Sequence, residues 1–144
     1  EELSNLKKLV NKYNLNKYVF FLGYKEGKDL DEIFDNSDIA IGSLGLHRLN
    51  ANKGSVLKVR EYCARGIPFV IGYNDEDIIS KIPYYYLVPA DDSPINIVNM
   101  LKWYKKILSN NPNYTYELRE FAEKHLSWKA KIKPLINRIL EEKT

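Results

Sequence analysis

Three features of this 144-residue chain predict an α/β fold, with a parallel sheet covered by helices on both faces. Short apolar runs at Tyr18–Leu22, Asp38–Gly42, Phe69–Ile71 and Tyr85–Val88 lack polar alternation, as strands buried on both sides do. Between them lie stretches whose apolar residues recur at helical spacing. The resulting order, β-α-β-α-β-α-β, is that of strands joined by helical crossovers.

Leu3, Leu6, Leu9 and Val10 place an amphipathic helix at the start, ending near Tyr13 and Asn14. The strand Tyr18–Leu22 is stopped by Gly23, and the polar loop Tyr24–Lys28 leads to Asp29, a good N-cap for a short helix over Leu30, Ile33 and Phe34. Asp38–Gly42 is the second strand and Ser43–Lys53 a long loop, a feature more often functional than idle. A helix entered through Ser55 and closed by Gly66 follows, then through Pro68 the strand Phe69–Ile71. Next come a short helix over Ile78, Ile79 and Ile82, and the strand Tyr85–Val88. Pro94 opens a helix carrying Ile97, Val98, Leu101 and Tyr104. Helices over Leu118–Leu126 and Trp128–Leu140 complete the chain, with Trp103 and Trp128 as core anchors. The whole is expected to be a single domain, residues 1–144, without repeats or linkers.

Composition excludes several function classes. The chain is 44% hydrophobic and 28% charged, ordinary for a protein with a packed core. A net charge of +3, with the lysines spread out, gives no footprint for nucleic acid. The single cysteine, Cys63, cannot form an intramolecular disulfide and suits a reducing compartment. No run approaches the roughly 20 apolar residues of a membrane span, and no signal peptide is visible. The expected location is the cytoplasm, with the inner face of the membrane as the alternative for a longer parent protein. Met100 is the only methionine, so the chain reads as a piece of a larger protein.

Motif by motif, most enzyme chemistries fall away. Gly42-Ser-Leu-Gly45 has neither the spacing nor the following helix of a G-x-G-x-x-G turn, and Walker A and G-x-S-x-G sequences are absent. His47 and His125 have no metal-ligand spacing to each other or to Cys63, which reads as a buried small hydrophobe. What remains is the helix after Gly54. In a parallel sheet its N-terminus lies beyond the carboxyl ends of the strands, where unpaired N–H groups suit phosphate. Glu61, two turns in, is placed to reach ribose hydroxyls attached to that phosphate. It also has Lys58 three residues before and Arg65 four after, so a plain helix salt bridge is the competing reading.

The sequence Ser55-x-Leu57-Lys58-x-x-Glu61-Tyr62-x-Ala64-x-Gly66-x-Pro68 resembles the donor-site helix of family 4-like GT-B glycosyltransferases (glycosyltransferase group 1). Val19–Gly23 is similar to the strand and glycine that open that family's base-binding loop. Ser37-Asp38-Ile-Ala-Ile41 resembles the strand before the donor loop, and Leu126-Ser127-Trp128 the step into a final helix that packs back toward the N-terminal domain. In two respects the chain departs from the family. Lys53 stands where the first acid of the seven-residue-spaced Glu pair falls, and the chain begins after the strand that precedes the family's diphosphate-binding Arg/Lys pair.

The resemblance implies a Rossmann-like, C-terminal half of a GT-B fold that binds a nucleoside diphosphate sugar without a metal or other cofactor. Glu61 would hold the ribose, and Ser55 and Val56 would give backbone N–H groups to the diphosphate. Lys58 and Arg48 would supply phosphate cations, and Tyr24 after Gly23 would stack on the base. His47, in the same long loop, is either a surface residue or one facing donor or acceptor. The implied partners are the nucleotide sugar, the protein's own N-terminal domain and a glycan or lipid-linked acceptor, with no nucleic acid. The parent enzyme would transfer sugar to a hydroxyl in bacterial surface polysaccharide or glycan synthesis, while this piece alone would be inactive. A non-catalytic nucleotide-binding module and a ligand-free interaction domain remain the rival readings.

Overall fold

The chain divides into two compact units, Glu1–Asp35 and Asn36–Thr144, and the computed structural model describes residues 2–141. In the first unit, helices α1 (Glu2–Lys12) and α2 (Gly27–Asp35) form where helical periodicity predicts them. Asp29 is not the cap of α2 but an acid in its first turn, 3.6 Å from the Lys25 ammonium. Tyr18–Leu22 is not a strand. Its side chains are exposed, with Tyr18 at 76% and Phe20 at 72%. An extended segment needs a neighbour for its backbone N–H and C=O groups, and this unit's regular elements are both helices.

The second unit is built on a small parallel sheet of three strands flanked by helices. Strands β1 (Ala40–Ile41), β2 (Phe69–Ile71) and β3 (Tyr85–Leu87) lie side by side in chain order. Ala40 is in register with Phe69, and Phe69 in turn with Tyr85. All of β2 is buried, which explains its unbroken apolar run. Phe69 turns toward helix α3 (Leu57–Arg65), its ring 6.2 Å from that of Tyr62. Val70 turns the other way and packs with Val88 and with Met100 of helix α4 (Ile97–Asn110). Burying side chains of this kind stabilises by roughly 1.5–3 kcal/mol each.

Other boundaries shift for local reasons. Ile78–Ile82 forms turns instead of a helix, because Ser80 takes a left-handed φ of 63° and Pro83 follows. Helix α4 begins after Asn96, not at Pro94, since the Asn96 Oδ1 accepts from the Asn99 N–H at 3.0 Å. The predicted helix Leu118–Leu126 is two pieces, α5 (Tyr114–Phe121) and a π-turn over Ala122–Leu126. The Ser127 N–H closes that turn on the Ala122 carbonyl, and the Ser127 Oγ accepts from the Ala130 N–H, starting α6 (Trp128–Glu141).

Candidate functional site

Helix α3 carries the site. Gly66 ends it with φ 76°, its N–H reaching the Cys63 carbonyl while the Ile67 N–H reaches that of Tyr62, a Schellman closure. At the other end Val56, with φ −90° and ψ 127°, is the N-cap, and its own side chain makes no cap hydrogen bond. Ser55 therefore lies one residue outside the helix instead of capping it. The loop before α3 runs back alongside the chain beyond β2: Lys53 pairs with Asn74 in a parallel bridge, and the Gly54 N–H reaches the Asn74 carbonyl at 3.0 Å. A Cβ at Gly54 would stand 3.0 Å from Leu46 Cδ1 and 3.2 Å from the Tyr73 ring, so those side chains would have to give way to it. The N-terminus of α3 thus opens at the carboxyl end of the sheet, as β-α-β topology demands.

One face of α3, with Val59, Tyr62 and Cys63, is buried against the sheet; the Tyr62 hydroxyl donates to the Ile41 carbonyl at 3.2 Å. Cys63 is fully buried, and burial pushes its thiol up to about 12, as fits a core hydrophobe. The opposite face, with Leu57, Glu61 and Ala64, lines an open groove of about 810 Å³ whose far wall includes Arg119, Trp128 and Lys131. Ser55 lines the same groove.

A charged network that sequence reading missed braces the groove. Arg60 grips Asp75 with both guanidinium nitrogens and reaches Asp77 at 2.9 Å, while the Lys131 ammonium holds the other Asp77 oxygen. Asp75 is only 1% exposed, so this pair is desolvated. Burial lowers the Arg60 pKa, but hydrogen bonds and attraction from Asp75 and Asp77 outweigh it and the net shift is upward. The Lys131 hydrogen bond, and next that from Arg60, hold the Asp77 carboxyl below the ordinary carboxylate range against the opposing effect of burial. The only sequence signal was a run of acids, Asp75–Asp77, beside an arginine one helical face away.

Of the predicted site residues, the structure brings Ser55 and Glu61 to one groove. Val56 is half-buried at the helix start, and Lys58 is exposed in the first turn. Glu61 forms the helix ion pair of the competing reading, its Oε1 accepting from Arg65 Nε at 3.1 Å. Arg48 lies in a 3-10 turn (Leu46–Leu49) and gives Nε and Nη2 to Asp92, which His47 also meets at 3.1 Å. Lys53, at the departed acid position, pairs with Glu76 at 2.7 Å. Arg48 and Lys53 are thus each matched by a carboxylate. Gly23, with φ 70°, and Tyr24, whose hydroxyl donates to Glu26 at 2.8 Å, belong to the first unit. Trp103 is half-buried against Tyr86, but Trp128, expected in the core, is 79% exposed.

Among the described residues, no group of three or more His, Cys, Asp or Glu is placed to hold a metal, and no helix is long and apolar enough to cross a membrane. Comparison with protein-family models gives no match, and comparison with curated proteins gives no significant one.

Proposed function

We propose that this chain is the nucleotide-sugar-binding domain of a GT-B glycosyltransferase. The parent enzyme would move a sugar from a nucleoside diphosphate donor to a hydroxyl acceptor in surface polysaccharide or glycan synthesis. One observation carries the reading: Ser55 and Glu61 line one groove, beside a helix whose N-terminus opens at the carboxyl end of a parallel sheet. The donor diphosphate would lie on the N–H groups of residues 55–57 and the ribose against Glu61. Lys58 and Arg48 would share the phosphate charge, Arg48 after release from Asp92. The family-like motif around Glu61 and the small parallel sheet support a Rossmann-like half of that fold.

In the intact enzyme, Glu61→Gln is expected to raise the donor KM or lower turnover at least tenfold, about 1.4 kcal/mol. Its melting temperature should barely move, because the Glu61–Arg65 pair is a half-exposed i,i+4 contact. A loss of stability with unchanged donor kinetics would assign Glu61 to the helix alone.

A second reading follows from the ion pairs. Glu61, Arg48 and Lys53 all find partners within the chain, as in a non-catalytic module that binds nucleotide or none. Calorimetry with UDP and GDP on the wild type and Glu61→Ala, with a transfer assay on the intact protein, separates the cases, and no nucleotide binding at all supports a ligand-free interaction domain. Binding lost in the variant supports the donor site, whereas nucleotide binding that never leads to transfer supports the non-catalytic module.

A further inference from the structure

Tyr73 is 1% exposed, yet its hydroxyl meets no hydrogen-bond partner. Buried polar atoms are nearly always paired, and one that is not gives up its hydrogen bonds to water without replacement. Two side-chain atoms among the described residues are left this way. The other, His47 Nδ1, sits on an imidazole already held by Asp92 through Nε2. The Tyr73 hydroxyl has no second atom through which to be satisfied.

Its place in the fold gives this orphan a direction. Tyr73 follows β2, and its ring lies against the loop that enters α3, with a Cβ on Gly54 falling 3.2 Å away. The phenol oxygen faces the backbone N–H of Val56, the N-cap of α3, without forming a hydrogen bond to it. Burial, and next the charge of Asp75, push the phenol up to about 12, so at neutral pH it keeps its proton and can donate. Asp75 does not take that proton, because both its oxygens are held by Arg60. An O–H and an N–H thus face each other at the positive end of a helix with no acceptor between them. An anionic oxygen set there would accept from both. Phosphate is the anion that fits, since it offers further oxygens to the exposed residues Ser55 and Leu57 at the same time.

We propose that the Tyr73 hydroxyl is a phosphate contact of this site, donating together with the Val56 N–H to one oxygen of the diphosphate; the assignment rests on the donor reading above. Entry of that oxygen lifts the loop 52–55, which is held down by two backbone bonds, Asn74 N–H to the Asn52 carbonyl at 2.9 Å and Gly54 N–H to the Asn74 carbonyl at 3.0 Å. The test is calorimetry on the intact protein with UDP and GDP against uridine and guanosine, in wild type and Tyr73→Phe. The variant should bind the nucleotide at least about tenfold more weakly, as loss of a hydrogen bond to a charged group implies, and bind the nucleoside within about twofold of wild type. Its melting temperature without ligand should be unchanged or higher, because an unpaired buried hydroxyl has been removed. Hydrogen exchange on the wild type gives a second readout that needs no variant to fold: nucleotide, but not nucleoside, should slow the Val56 amide and speed that of Gly54. Unchanged nucleotide affinity, equal losses for nucleotide and nucleoside, or a Val56 amide indifferent to nucleotide overturns the proposal. So does a lower melting temperature of the variant, which would show the hydroxyl already satisfied by ordered water. Nucleotide binding lost in Glu61→Ala but kept in Tyr73→Phe would overturn the Tyr73 contact alone, whereas no binding of UDP or GDP by the wild type would overturn the donor reading with it.

Discussion

Replacing Arg60 by Met tests whether the groove beside α3 is held by a desolvated charge network. Asp75 is 1% exposed and accepts two hydrogen bonds from Arg60, whose own side chain is 14% exposed. Removing one partner of such a buried pair typically costs 3–5 kcal/mol. Asp77 keeps Lys131 as a partner, so the low end, about 3 kcal/mol, is expected. For a unit of this size that lowers the melting temperature by about 10 °C. Glu61→Gln, the next residue along, should cost about 0.3–0.5 kcal/mol. Urea unfolding followed by circular dichroism measures both. Adding Asp75→Leu to Arg60→Met should restore at least half the loss, since an apolar pair of similar volume carries no desolvation cost. An Arg60→Met penalty below about 1 kcal/mol would show that water reaches the pair and refute the reasoning.

Three more outcomes follow. Asp77 has a folded-state pKa below its unfolded value, so its contribution is complete above about pH 4 and is lost as pH falls through the folded pKa; Lys131→Met should shrink that acid-limb loss in urea titrations between pH 2 and 5, the part due to Arg60 remaining. Gly66→Ala should destabilise by about 2–4 kcal/mol, because φ is 76° and the new Cβ would stand 2.5 Å from Thr115 Cγ2 and 2.7 Å from its carbonyl oxygen, with the loss visible in the urea midpoint. Cys63, its thiol pushed up to about 12, should react with a disulfide probe at pH 8 no faster than the protein unfolds; rapid labelling of the folded chain would count against that burial.

The parts of the fold legible in the sequence were those set by local chemistry or by a strong apolar pattern. Gly66 after a helical stretch, the unbroken run Phe69–Ile71, and Cys63 on a buried helix face all stand as read. What failed depended on neighbours far along the chain. Tyr18–Leu22 has every property of a buried strand except a partner, and apolarity alone cannot supply one. Trp128 looked like a core anchor because tryptophan usually is one, whereas it stands 79% exposed at the wall of the groove. The network of Arg60 with Asp75 and Asp77 joins residues 15 and 17 positions apart through a strand and a turn, so no helical or strand period reveals it.

The same long-range pairing changes how an anion would meet this site. Read along the sequence, Arg48 and Lys58 are the cations for phosphate, with Lys53 at the departed acid position nearby. In the folded chain Arg48 is already matched by Asp92, and Lys53 by Glu76. An incoming diphosphate at the start of α3 would therefore exchange carboxylates for phosphate oxygens instead of adding charge to an unneutralised pocket. Exposed pairs of this kind are held weakly, so the exchange costs little and favours a dianion over a single carboxylate. It also releases Asp92 and Glu76 to solvent beside the ligand, where salt screens them as much as it screens the new contacts. The affinity of such a site then rests on the geometry of the α3 N–H groups and Glu61 more than on net charge, and its salt dependence should be shallower than a count of lysines and arginines suggests.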